Sequence, residues 1–137
     1  MILFMMKFIC ISLVCLVGLF AGCSKETPQN FICTSTAFTG TLGLVGKTSS
    51  LSITRGGLLS SGSASLDSLT FAEHCYKIGN KDVYGFSKED CKNINTSAST
   101  LPFRSLMFDE ISGDMNTEVS GTANHTMSMY SCAKVKS

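Results

Sequence analysis

The feature that most constrains the fold is a series of short β-forming stretches separated by turn residues. Residues 31–38 are rich in β-branched and aromatic side chains, and residues 50–54 alternate apolar with polar side chains before Arg55-Gly56-Gly57 turns the chain. Apart from an apolar run near the N-terminus, no stretch has the helical period of about 3.6 residues. The sequence therefore predicts an all-β domain.

Two hairpin patterns and a closing strand extend this prediction. The paired stretches are residues 75–78 with 82–86, around Gly79-Asn80, and residues 104–109 with 115–119, around 110–114. The Ser- and Gly-rich stretch 58–68 is expected to be a loop with one short strand, and residues 126–133 the last strand. About seven or eight short strands predict a small antiparallel barrel or sandwich. The sequence does not define the strand order.

The N-terminus resembles the signal peptide of bacterial lipoproteins. Lys7 is followed by the apolar run 8–20, and Leu19-Phe20-Ala21-Gly22-Cys23 resembles a lipobox. The resemblance implies cleavage after Gly22 and lipidation of Cys23, and Ser24 favours the outer membrane with the domain facing the periplasm. An ordinary secretory signal, with Cys23 in a disulfide, is the alternative.

The domain organisation follows from this resemblance. We expect residues 1–22 to be the signal peptide, residues 23–30 the lipidated cysteine and a short tether, and residues 31–137 one β-rich periplasmic domain. The apolar run is too short for a spanning helix, which needs about 20 residues. Removal of the signal peptide leaves 115 residues, enough for one modest core.

Four cysteines remain after the signal peptide and Cys23 are set aside. An even number in an exported domain of this size indicates two disulfides, for which three pairings exist. We favour Cys33–Cys132, which would tie an opening strand to a closing one, and Cys75–Cys91, which closes a short segment. A zinc site is the competing interpretation, but the chain has no CxxC pair. We therefore expect no metal and no cofactor.

Charge gives no support to nucleic-acid binding. The chain after residue 22 carries ten basic and ten acidic residues, and no run of three basic residues occurs. Residues 41–48 nearly match a phosphate-binding loop, but Thr41 stands where its first glycine is required. We expect a turn between strands there and no nucleotide partner.

Catalytic motifs are weak, and we predict no catalytic residue. His74 or His125 could join an acid and one of many hydroxyl groups, but no G-x-S-x-G motif occurs. The acidic clusters at 109–114 and 89–90 lack calcium-loop spacing, and turn chemistry explains the first. Met127 and Met129 share one face of the last strand, where core packing is favoured over an adaptable binding surface.

These patterns predict an anchored envelope lipoprotein of non-catalytic binding or structural role, contacting an envelope protein or a cell-wall polymer. The alternative is an inhibitor, since lysozyme-inhibitor lipoproteins are similar in size, anchoring, cysteine use and β character. The chain has Ser-Gly pairs at Ser61-Gly62 and Ser112-Gly113, but neither is assigned as their inhibitory Ser-Gly motif, and no residue role is carried over. A small cell-wall or lipid hydrolase is a third hypothesis. A cleft joining a histidine, an acid and a hydroxyl would favour the hydrolase, and a protruding loop near Ser112-Gly113 the inhibitor.

Overall fold

The predicted all-β fold is confirmed by the computed structural model, which describes residues 27–39, 45–57, 61–95, 101–121 and 125–136. Cys23 and the predicted signal peptide lie outside these ranges. In chain order the elements are β1 (Gln29–Thr39), β2 (Thr48–Thr54), β3 (Ser63–Leu66), β4 (Leu69–Phe71), β5 (Glu73–Ile78), β6 (Lys81–Gly85), α1 (Lys88–Asn95), β7 (Phe103–Asp109), β8 (Asp114–Ser120) and β9 (His125–Lys134). β1 begins within the segment interpreted as tether.

The nine strands form one nearly closed antiparallel barrel. Their order is β4-β3-β2-β1-β9-β8-β7-β6-β5, so the first and last strands of the chain are neighbours. Only Ala72 separates β4 from β5, and β3 also lies against β5. β4 and β5 therefore act as one bent strand that closes the barrel. Counted in this way, the barrel has eight strand positions around its circumference.

Alternation along the strands fills the barrel interior. On β1, Phe31 and Cys33 are buried whereas Ile32 between them is exposed, as expected for a sheet with one face in the core. Phe31 packs edge-to-face on Phe108 of β7, with ring centroids 4.8 Å apart. The core consists of Phe31, Cys33, Leu51, Ile53, Ala64, Leu66, Phe71, Tyr84, Leu106, Phe108 and Met115.

The same alternation corrects the prediction for two methionines. Tyr130 of β9 packs against the core, so Met127 and Met129 point to the outer face of that strand. Met129 is 40% exposed. Core packing was the wrong prediction for this pair, because the larger Tyr130 takes the interior face.

Helix α1 is an element that the sequence analysis missed. The Ser87 hydroxyl accepts a hydrogen bond from the Asp90 main-chain N–H at 3.2 Å and donates one to the Asp90 carboxylate, which caps the first turn. α1 packs on the outer face of β5, β6 and β7, where Val83 is buried. In the part of the chain that the structure describes, no helix has the length and apolarity needed to cross a bilayer.

Two disulfides staple the barrel, and they are the pairs chosen from the sequence. Cys33 and Cys132 face each other across β1 and β9, with Cα atoms 3.9 Å apart. Cys75–Cys91 fastens α1 to β5 across a sequence separation of 16. Cys91 lies within α1.

Candidate functional site

A cavity of about 350 Å³ opens at the barrel end where β1 begins and β2 ends. We call it the polar mouth. Charged and polar groups line its rim, and core side chains form its floor. The polar mouth is lined by Gln29, Ile53, Arg55, Gly56, Gly57, Ser61, Gly62, His74, Lys77, Asp82, Tyr84, Phe108 and Glu110.

One carboxylate organises the β5–β6 side of the polar mouth. Asp82 Oδ1 is 2.9 Å from His74 Nε2, and Asp82 Oδ2 is 3.6 Å from Lys77 Nζ. The hairpin turn Gly79-Asn80, with φ of 59° at Gly79, places Lys77 directly opposite Asp82. Because an ionised carboxylate only accepts hydrogen bonds, His74 Nε2 carries the proton in this contact.

A second ion pair crosses the polar mouth. Arg55 follows β2, Glu110 follows β7, and the Arg55 guanidinium donates to the Glu110 carboxylate. β2 and β7 are four strand positions apart in either direction around the barrel, so they lie on opposite sides of it. The pair therefore spans the opening, above the floor of the cavity.

The floor of the polar mouth is apolar except for one phenol. Ile53, Tyr84 and Phe108 belong to the core. Burial raises the pKa of Tyr84 to about 12, and the nearby Asp82 carboxylate adds to the effect. The Tyr84 hydroxyl stays protonated at neutral pH and is available as a hydrogen-bond donor.

The charges of the polar mouth cancel. Arg55 and Lys77 oppose Glu110 and Asp82, so the lining is neutral when His74 is uncharged. A charged ligand gains no net attraction from such a lining, whereas hydroxyl and amide groups find both donors and acceptors. Chemically the site is suited to a neutral polar group.

A histidine, an acid and a hydroxyl group, which a hydrolase would need, lie in one cavity but do not form a connected set. Ser61, His74 and Asp82 line the same cavity. However, the Ser61 hydroxyl donates to the Glu73 carboxylate at 2.7 Å, and His74 is held by Asp82. Among the described residues no hydroxyl is hydrogen-bonded to His74, so the serine is not activated as nucleophilic catalysis requires.

The loop carrying Ser112-Gly113 lies at the same end of the barrel. Its β7–β8 hairpin is fixed by the Asp109 carboxylate, which accepts the main-chain N–H groups of Ile111 at 2.9 Å and Ser112 at 3.2 Å. Ile111 at its tip is 77% exposed, whereas Gly113 is buried. The other Ser-Gly pair, Ser61-Gly62, lines the polar mouth itself.

The remaining candidate residues lie elsewhere. His125 begins β9 at the opposite end of the barrel, where its Nε2 is 2.6 Å from Glu118 Oε1. The described part of the stretch 41–48 contains a turn at Val45-Gly46 and the start of β2. In the described ranges, no group of three or more His, Cys, Asp and Glu side chains could hold a metal ion.

Sequence reasoning missed Arg55, Glu110 and Asp82 as members of one site. Asp82 has a local signal, since it sits opposite Lys77 across a predicted two-residue hairpin. Arg55 and Glu110 are 55 residues apart and meet only when the barrel closes.

Comparisons of the chain with protein-family models, curated proteins and solved structures find no match.

Proposed function

We propose that the chain is an envelope lipoprotein, anchored through Cys23 in the outer membrane and facing the periplasm, with a non-catalytic binding role. Its binding site is the polar mouth. The ligand is a neutral sugar unit of a cell-wall polymer, which carries hydroxyl and amide groups. The cancelling charges of the polar mouth are the observation that supports this assignment.

The shape of the polar mouth supports the same conclusion. A volume of about 350 Å³ is at the lower end of small-molecule sites, which suits one or two sugar rings better than a long chain. The floor is formed by the core residues Ile53, Tyr84 and Phe108, of which little surface is exposed. The rim supplies donors from Arg55 and Lys77 and acceptors from Asp82 and Glu110.

The position of the site on the barrel supports access to the cell wall close to the membrane. The polar mouth contains Gln29, the first residue of β1. Gln29 lies six positions after Cys23, and six steps of about 3.3 Å span at most roughly 20 Å. An anchor at Cys23 would hold the polar mouth within that distance of the bilayer.

The binding test uses the chain from Ser24 onward, secreted so that disulfides form, because this segment contains all nine strands, the core and both disulfides. Titration calorimetry with soluble disaccharide–peptide fragments of the cell wall is expected to show saturable binding. Asp82→Asn frees His74 and Lys77 and should weaken binding about tenfold. Glu89→Gln, on the exposed face of α1, is the matched control and should leave binding unchanged.

Either of two results would reject the sugar-binding proposal: no binding of any fragment, or equal binding by the Asp82→Asn and Glu89→Gln variants. Thermal unfolding of both variants checks that the fold is retained. Release of new reducing ends by the wild-type chain, abolished in His74→Gln, would support the hydrolase instead.

The exposed β7–β8 hairpin favours lysozyme inhibition as the second candidate function. Ile111→Asp places a charge at the tip of this loop, and we expect it to abolish inhibition if the loop enters an enzyme cleft. Val45→Asp is the control, since Val45 is 67% exposed in a turn at the other end of the barrel. An intact wild-type chain that leaves lysozyme fully active would exclude this candidate.

Localisation is tested separately by intact-mass spectrometry of the chain isolated from bacterial membranes. A mature chain that begins at Cys23 and carries acyl mass is expected. A chain without acyl mass, or one released into the soluble fraction, would reject the anchor. Cys23→Ala should release the chain from the membrane fraction while leaving the barrel intact.

A further inference from the structure

A second cavity, also of about 350 Å³, lies at the opposite end of the barrel, where β6 ends and β7 begins. We call it the distal cavity. Its interior wall includes Leu66, Leu69, Phe71, Phe86, Arg104 and Tyr130. Core side chains between the two ends, such as Leu106 and Met115, are fully buried. The distal cavity is therefore a site separate from the polar mouth.

One side of the distal cavity is apolar and partly open to water. Leu66 and Phe71 are buried at its base, whereas Leu69 is 52% exposed and Phe86 37% exposed. Phe71 and Phe86 pack edge-to-face, with ring centroids 5.8 Å apart. An apolar chain entering here would remove this exposed surface from water, which is favourable.

Among the described residues that line the distal cavity, Arg104 is the one cation, and it lies at the rim of the apolar wall. Arg104 shares the interior face of β7 with Leu106, and its guanidinium carbon lies 5.4 Å from the centroid of the Phe86 ring. Within the described ranges the Arg104 side chain forms no ion pair. Its guanidinium is thus free to bind an anion.

The acidic groups nearby are engaged elsewhere. The Asp90 carboxylate accepts the main-chain N–H of Arg104 at 2.8 Å and also the Ser87 hydroxyl. Glu118 also lines the distal cavity, and its carboxylate is hydrogen-bonded to His125 Nε2. Arg104 therefore remains to pair with an anion beside the apolar wall, whereas the Glu118 carboxylate is held by His125.

We propose that the distal cavity binds a free medium-chain fatty acid, with the acyl chain on the apolar wall and the carboxylate on Arg104. A planar guanidinium pairs with a carboxylate through two parallel hydrogen bonds. At about 30 Å³ per water-sized group, the cavity of about 350 Å³ holds roughly twelve heavy atoms, which matches the ten carbons and two oxygens of decanoate.

The test is an NMR titration of the isotope-labelled chain from Ser24 onward with decanoate. Saturable shifts are expected at Thr117, Thr126 and Ser128, which line the distal cavity, and not at residues of the polar mouth. The dissociation constant should lie below about 1 mM. Decanol, which lacks the charge, should bind about tenfold more weakly.

Three variants separate the contributions of the cavity. Arg104→Gln should weaken decanoate about tenfold and leave decanol unchanged. Val119→Trp, at a 45% exposed wall position, should fill the cavity and abolish binding of both. Lys134→Gln removes an exposed cation at the opposite end and should change neither. Equal decanoate affinity in all three variants, shifts confined to the polar mouth, or no saturation would overturn the proposal.

Discussion

Gly113 shows how one residue can hold two parts of the barrel together. Its φ is +78°, and its carbonyl oxygen accepts the Cys132 main-chain N–H at 2.8 Å. A Cβ atom at this position would overlap the Cys132 carbonyl oxygen. The left-handed backbone and the close approach of β9 both require glycine here.

We expect Gly113→Ala to lower the free energy of unfolding by more than about 2 kcal/mol, since left-handed strain alone costs about 1–2 kcal/mol. Gly46→Ala is the control, because Gly46 has a φ of +88° but open space around its Cβ position. Denaturant unfolding should show a clearly larger loss for Gly113→Ala. Equal losses would mean that the overlap with Cys132 is relieved at no cost.

Asp67 links pH to the stability of the β3–β4 turn. The Ser50 main-chain N–H donates to its carboxylate at 2.8 Å, and this bond lowers the pKa of Asp67 below its ordinary value. Because the folded pKa is depressed, the carboxylate stabilises the fold above the unfolded pKa. This contribution is lost as the pH falls through the folded pKa.

Asp67→Asn keeps a residue that tolerates the left-handed φ of 51° but removes the charge. At neutral pH we expect a loss of about 0.5–1 kcal/mol, which is small because the carboxylate is largely exposed. At pH 2 the difference in stability between the two chains should be smaller than at neutral pH, because the carboxylate is protonated as the pH falls through its folded pKa. A difference that is the same at both pH values would show that the charge is not its source.

At the scale of elements, α1 depends on its cap and its staple. An eight-residue helix is too short to be stable alone. Its first turn is capped by Ser87, its buried Asn93 side chain donates to the Pro102 carbonyl at 3.0 Å, and Cys91 bonds to Cys75. Tertiary contacts therefore select the helix.

Ser87→Ala should lower the free energy of unfolding by about 1 kcal/mol through loss of the cap. Hydrogen exchange of the α1 amides is expected to accelerate, with the strands unaffected. Lys88→Ala, in the exposed first turn, is the matched control and should be near neutral. Unchanged exchange in Ser87→Ala would show that the disulfide and packing hold α1 without its cap.

Elements marked by local sequence patterns, such as turn glycines, were predictable from the sequence. Contacts that form only when the barrel closes were not. The β5–β6 and β7–β8 hairpins were found because their turns contain Gly79 and Gly113, whose φ values are positive. α1 was missed because its sequence is short and polar, although Ser87 and Asp90 carry a capping pattern. In the polar mouth, His74 was a candidate, but the pairing of Arg55 with Glu110 depends on two strands from opposite walls.

At the scale of the whole molecule, the Cys33–Cys132 bond controls barrel closure. It joins the first and last strands across 99 residues of sequence, whereas Cys75–Cys91 spans only 16. Chain-entropy arguments assign about 4.7 kcal/mol to a loop near 100 residues and about 3 kcal/mol to a short one.

Replacing both Cys33 and Cys132 by Ala should therefore destabilise the barrel more than replacing both Cys75 and Cys91. Denaturant unfolding of the two double variants tests this order. A larger loss from the Cys75/Cys91 pair would mean that fastening α1 contributes more to stability than closing the barrel.

Because β1 and β9 are neighbours, the strand connectivity of the barrel runs once around its circumference. Each strand pairs with the strands that precede and follow it in the sequence, or continues into them through a bend. β9 and β1 are also paired, but they are not consecutive in the chain. Beside this pair the Val135 main-chain N–H donates to the Asn30 carbonyl at 2.9 Å. A chain joined from Lys136 to Thr27 by a short linker, and opened instead at Gly79-Asn80, would trace the same wall in the same register. Circular permutation would therefore change the order in which the strands are synthesised without changing any strand pairing in the barrel.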